Sequence, residues 1–342
     1  MTTTSSDELN NMAAGPESRN AVTPPRETAR YGGIDVFRHL LAVGVILLHL
    51  HSGARYSPAL NHLMESIGSY CDGVVFGFFL IAGFFAKGQS TLSWSGTKSV
   101  FWKQFHRLLI PFFTFSLIYT FALVGLGKRT VASGLLATAV LHGASVQLYF
   151  LPFLFYVSIA FLFYTAVTSQ YLKLSASMTL LLPFVGLLAF SEFHRTVEST
   201  GSDFLLLPLY ATCYLAGHYL AIARKAKSLY FHVLCGALSL CFAIGSHWDP
   251  RLWKIAEIIL LFWFFLSVSS LPFLHRRLPG SGGVYMLHAP LVIYGISSIL
   301  AIAHVRDATN AALTLGLTYS ICLVATLAFI RIFPKYAYLL LE

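Results

Sequence analysis

Charge is scarce in this chain of 342 residues: Asp, Glu, Lys and Arg together make up 11% of it, and only 14 residues are acidic against 23 basic ones. So few charges cannot cover a water-exposed surface of this size, which excludes the pair of soluble domains that the length alone would suit. The five cysteines, Cys71, Cys213, Cys235, Cys241 and Cys322, stand singly in apolar runs with no CxxC pair, so neither a disulfide framework nor a cysteine zinc site is expected. They read as small apolar fillers. There is no GxSxG elbow, no HExxH helix and no glycine-rich dinucleotide loop, which argues against a covalent serine enzyme. PGSGG at 279–283 lacks the GK[ST] ending of a phosphate loop and reads as a turn. The first thirty residues contain no apolar h-region, so this Ser, Thr and Pro-rich stretch is expected to be a disordered cytoplasmic tail and not a signal peptide.

Apolar runs fill the remainder. Hydrophobic residues make up 56% of the sequence, and stretches of about 20 mostly apolar residues, the length that crosses a bilayer as a helix, recur along it. The expected fold is all-α, a polytopic transmembrane helical bundle of about ten spans at 33–51, 66–86, 108–126, 148–169, 174–191, 204–223, 228–247, 252–271, 282–302 and 309–331. The expected domain division is a tail over 1–31, a membrane domain over 32–335 and a short cytoplasmic end over 336–342. A further apolar stretch near 131–142 suits an interfacial or re-entrant helix. With the N-terminus inside, fifteen Lys and Arg fall in cytoplasmic segments and seven in outer loops. This asymmetry predicts both termini in the cytoplasm. It also accounts for the net charge of +9 as a topology signal and an anion-attracting surface, with no nucleic acid needed.

Against that apolar background, FRHLLAVGVILLHLHS at 37–52 places ionisable groups inside the first span. Such groups are costly in lipid and are functional candidates by default. Arg38 and His49 are eleven residues apart, three helical turns plus roughly 20°, so they share a face about 16 Å apart along the axis. His39 points about 100° away, and His51 about 200° from His49, which argues against a two-histidine metal site on one face. The plain alternatives are an arginine that snorkels to the interface and a histidine that bonds a neighbouring helix. Their pairing on one face suits an extended ligand with an anionic head, such as the phosphopantetheine arm of an acyl-CoA. Arginine's planar fork would hold phosphate, and a neutral imidazole can take a proton from an attacking hydroxyl.

At these residues the chain resembles the acyltransferase-3 family of integral membrane O-acyltransferases, whose strongest signature is Arg-x10-His in the first span. FFLIAGFF (78–85), WKQFHRLLIPFF (102–113), YFLPFLF (149–155) and YMLHAPL (285–291) are similar, in order, to the family's later motifs. Two residues depart from the pattern: Ala82 stands where Ser is usual and Tyr149 where Trp is common. The resemblance implies that Arg38 contacts acyl-CoA from the cytoplasm and that His49 is catalytic. It implies transfer of an acyl group, most simply acetyl, to a sugar hydroxyl of an exopolysaccharide, O-antigen or lipid-linked oligosaccharide, in a bacterial inner membrane. Acyl-CoA then enters as donor substrate, with no permanently bound cofactor and no metal.

Arg107 matches the basic motif and is expected at the cytoplasmic mouth, with Lys103, Arg276 and Arg277 adding attraction for CoA phosphates. All four also fit as topology charges alone. Asp72 and Glu257 start spans near the depth of His49, and either can orient its second ring nitrogen. The alternatives are an interface role for Asp72 and an i−3 pair with Lys254 for Glu257. His288, some seven residues into its span, is expected nearer Arg38's end, lining the donor channel or bonding a neighbouring helix. The rival class is a secondary transporter of a glycan or anion, with Arg38 binding substrate and His49 relaying protons. No internal repeat supports it.

Overall fold

A computed structural model of the chain describes residues 31–50, 57–86, 94–168, 206–226, 228–247, 249–271 and 278–340. Every regular element among them is helical. The first three are α1 (Gly32–Leu50), α2 (Pro58–Cys71) and α3 (Val74–Phe85). Next come α4 (Trp94–Gln104), a π turn (Phe105–Leu109), α5 (Ile110–Gly125) and the short α6 (Val131–Ala139). A 3-10 turn (Val146–Tyr149) leads into α7 (Phe150–Val167), followed by α8 (Leu207–Ala226), α9 (Ser228–Gly245) and α10 (Arg251–Ser267). The chain closes with α11 (Ser281–Leu287), a π turn (His288–Val292), α12 (Ile293–Ile302), α13 (Asp307–Ile332) and a 3-10 segment (Pro334–Leu340).

Among the described residues six helical stretches are long and apolar enough to cross a membrane: Gly32–Leu50, Pro58–Phe85, Gly96–Gly125, Gln147–Val167, Ser281–Ile302 and Asp307–Ile332. Three further expected spans coincide with α8, α9 and α10, and the one at 174–191 lies outside the described residues. Two of the six begin well before their expected starts, at Pro58 and Gly96. The second includes all of α2, and the third gathers α4, the π turn and α5, so the basic segment that carries Lys103 and Arg107 is helical. Leu340, within the expected cytoplasmic end, is 3% exposed.

Large apolar side chains lie on both sides of these helices. Phe37, Phe79, Phe112, Phe153, Phe231 and Phe262 are fully buried, whereas Phe121, Val233 and Val324 are more than 60% exposed. An apolar exterior over an apolar core is what a lipid-facing bundle requires. Association inside lipid rests on close packing and not on hydrophobic transfer. The α3–α8 pair shows this: a Cβ on Gly83 would lie 1.8 Å from the Tyr214 carbonyl oxygen, and one on Gly217 would lie 2.0 Å from that of Leu80. The two backbones therefore touch, reciprocally, through glycines. Beside this seam the Phe79 and Tyr210 rings stack at 4.6 Å and 7°.

Two prolines shape the site. Pro111 has no N–H to return to the carbonyl four residues back, and the backbone relaxes into the π turn Phe105–Leu109, closed by Ile110 N–H donating to the Phe105 carbonyl. That turn carries Arg107. Pro290 withholds the same bond from the Met286 carbonyl, and Ala289 beside it is non-helical at φ −124° and ψ 155°.

Candidate functional site

A cavity of about 520 Å³ opens at the Arg38 end of α1, within the range of small-ligand sites. Asp35 and Arg38 reach it from α1; Lys103, Gln104 and Arg107 from α4 and the π turn; Ser158 and Thr165 from α7; Tyr214 from α8. Its deeper wall is Phe78, Phe150, Gly282 and Tyr285. Three cations thus face one carboxylate, and Arg107 and Lys103 keep exposed side chains while lining the cavity. Such a mouth suits a polyanionic head, with guanidinium forks for phosphate oxygens and an apolar interior for an extended tail. Ala82, at the position where the resembled pattern has Ser, lines this cavity and offers no hydroxyl.

The cavity wall ends at Tyr285, and the histidines lie beyond it. The ring of His288 is fully buried, 6.0 Å from that of Tyr285 and 5.3 Å from that of His49. This corrects the sequence expectation for His288, which placed it nearer Arg38. Residues 281–287 make a short helix whose end brings His288 against the last turn of α1, and the non-helical Ala289 follows directly. His49 itself occupies the last turn of α1, where a histidine favours the negative end of the helix dipole, and is partly buried.

Side chains from elsewhere satisfy the carbonyls freed by this break. His288 Nδ1 lies 2.7 Å from the Tyr285 carbonyl, and the Tyr119 hydroxyl donates to the Met286 carbonyl at 2.5 Å. The Gln147 amide donates to the Ala289 carbonyl, and the Tyr285 hydroxyl donates to the Gln147 carbonyl at 2.7 Å. An unbonded buried carbonyl would cost about 1–3 kcal/mol, so this lattice holds the broken segment and the His288 ring in one arrangement. Sequence reasoning passed over Tyr119, Gln147 and Asp35. Pro290 was the available signal, since a proline in an apolar span announces carbonyls in need of donors.

The two carboxylates proposed from depth do not meet His49. Asp72 pairs with Lys254 at 2.8 Å and its side chain is 54% exposed, while Glu257 accepts from Trp253 Nε1 at 2.7 Å. Lys254 takes Asp72 and not Glu257, because the N-terminus of α10 packs beside the α2–α3 junction: Gly73 lies against Lys254 and Ile258. His39 also lies away from the cavity, between the Tyr319 hydroxyl at 2.9 Å and the Leu278 carbonyl at 3.2 Å. Arg276, Arg277 and His51 lie outside the described residues. Cys213, Cys235 and Cys322 are buried and free, as apolar fillers would be.

These features define a helical membrane protein with a basic cavity at one end of its first helix and a histidine pair behind the cavity wall. A family model described as an acyltransferase domain matches residues 31–331. The chain belongs to that family, acyltransferase-3, and is a membrane acyltransferase. No curated protein and no solved structure matches it.

Proposed function

We propose that the protein is an O-acyltransferase of the bacterial inner membrane that moves an acyl group, most simply acetyl, from cytoplasmic acyl-CoA to a sugar hydroxyl of a cell-surface glycan or its lipid-linked precursor. One observation carries this reading: Arg38, Lys103 and Arg107 converge on a single cavity whose inner wall, Tyr285, bonds to the histidine beside His49. The cationic mouth matches CoA phosphates, and the axial gap of about 16 Å from Arg38 to His49 matches the pantetheine arm. The mouth then faces the cytoplasm, with both termini on that side, as the Lys and Arg asymmetry supports.

In the direct route His49 takes the proton of the acceptor hydroxyl while the oxygen attacks the thioester carbonyl. The C–S bond breaks, and the departing thiolate receives the proton from His49. In the two-step route the lone-pair nitrogen of His49 attacks the thioester carbonyl, the C–S bond breaks and CoA leaves as thiolate; the acceptor hydroxyl then attacks the acyl-imidazole, giving its proton to solvent as the C–N bond breaks and neutral His49 returns, so that donor and acceptor bind in turn. Membrane vesicles holding the protein, given acyl-labelled CoA and a host glycan, test the assignment. Labelled glycan should appear, and His49→Ala and Arg38→Ala should each abolish or sharply reduce it. Equal label with both variants removes the site. Substrate flux without CoA-dependent label would favour the transporter.

A further inference from the structure

His288 has the geometry of a fixed, neutral imidazole. Its Nδ1 faces the Tyr285 carbonyl at 2.7 Å, and a carbonyl only accepts, so Nδ1 carries the ring proton. A second proton on Nε2 would place an unpaired charge on a side chain that is fully buried, which the interior strongly disfavours. Nε2 therefore presents a lone pair, and that lone pair meets no donor among the described residues. Buried acceptors are seldom left open without a purpose.

The ring next to it belongs to His49, with centroids 5.3 Å apart and planes 35° from parallel. Two imidazoles joined by one N–H···N bond have centroids about 5 Å apart, so the two rings stand at the separation that such a bond requires. The carboxylates expected from sequence to orient His49 are engaged with Lys254 and Trp253.

We propose that His288 is the positioning residue of His49: its Nε2 accepts the His49 ring N–H and so fixes which nitrogen of His49 presents a lone pair to the reacting groups. The catalytic half of this statement rests on the proposed function; the tautomer half does not. His288 does the orienting job a carboxylate does in a Ser-His-Asp triad, but as a neutral acceptor. It also links the cavity to the reaction centre, because the carbonyl that fixes the His288 tautomer belongs to Tyr285, a residue of the cavity wall.

Two substitutions separate this role from a purely structural one. His288→Asn retains an amide N–H in place of Nδ1–H but loses the acceptor at the Nε2 position, whereas His288→Gln extends an amide oxygen toward that position and gives up the Nδ1 bond. The Asn variant is expected to lose about 10- to 100-fold in kcat, the scale of a misaligned catalytic group, with KM for acyl-CoA unchanged, and the Gln variant to recover most of it. Activity in the reverse order, Asn above Gln, assigns His288 to holding the helix break and overturns the proposal. Independently of turnover, protein carrying 15N-labelled histidine in nanodiscs, with His49 resonances assigned through His49→Gln, is expected to show one His49 tautomer in the parent and a mixture in His288→Asn. Equal tautomer populations in both overturn it. A tautomer shift in a protein that transfers no acyl group overturns the proposed function and leaves the pairing intact.

Discussion

Tyr119 on α5 donates its hydroxyl proton to the carbonyl of Met286 at 2.5 Å, filling the bond that Pro290 withholds from α11. Both residues are essentially buried, at 3% and 0% exposure. The broken helix that carries His288 is thus held from a helix far away in sequence.

Replacing Tyr119 by Phe keeps the ring and removes the donor. The Met286 carbonyl then stays unbonded in the core, a loss of about 1–3 kcal/mol. A lower thermal midpoint in detergent is the expected result, with a fall in turnover larger than the effect on donor KM, because the break positions His288 and lies behind the cavity. An unchanged midpoint would mean that another donor or water reaches Met286.

The α3–α8 seam is expected to tolerate no side chain at either glycine. A Cβ at Gly83 or Gly217 would meet backbone oxygen at 1.8 or 2.0 Å, where no side chain can step aside. Gly83→Ala and Gly217→Ala should each destabilise by about 1–3 kcal/mol or more, the scale of overpacking. Gly236→Ala is the control, since nothing lies within 4 Å of a Cβ there. Monodispersity and thermal midpoints of the three purified variants check the ordering.

Asp72→Asn and Glu257→Gln should leave acyl transfer near the parent rate. Asp72 forms a half-exposed ion pair with Lys254, and such pairs contribute about 0–1 kcal/mol. Glu257 accepts from Trp253 on its own helix. A 100-fold fall in kcat for either would return a carboxylate to the neighbourhood of His49.

The limits of the sequence reading follow from what periodicity reports. A face of a single helix is readable, because residue spacing fixes angle, and the Arg38–His49 axis followed from that alone. Depth is readable only while a helix stays regular. His288 was misplaced because a count from the start of its span fixes its position along that helix alone, and not where the helix starts relative to α1, whose His49 ring lies 5.3 Å away. Lateral neighbours are not readable at all: Asp72 pairs with Lys254 and Glu257 accepts from Trp253, partners that spacing along one helix cannot rank against His49. Arg107 and Lys103 were found for their charge, while Tyr119 and Gln147 were missed because their partners are carbonyls, which leave no mark in a side-chain pattern.

The cavity cations should separate by geometry when tested singly. Arg38 rises from α1 and Arg107 stands on the π turn before Pro111, each presenting a planar fork, whereas Lys103 is a point charge on a flexible stem at the end of α4. Fixed, bidentate contacts to phosphate are stronger than a single mobile ammonium. Arg107→Gln should therefore raise KM for acyl-CoA by about 10-fold or more, the equivalent of 1.4 kcal/mol, and Lys103→Gln by only a few-fold. Arg107→Lys should recover part of the loss, since charge returns without the fork. Raising the salt concentration should weaken donor binding in the parent more than in Arg107→Gln, because one fewer cation is left to screen. Equal KM values for the parent and both Gln variants would place the CoA phosphates elsewhere and leave these residues as topology charges.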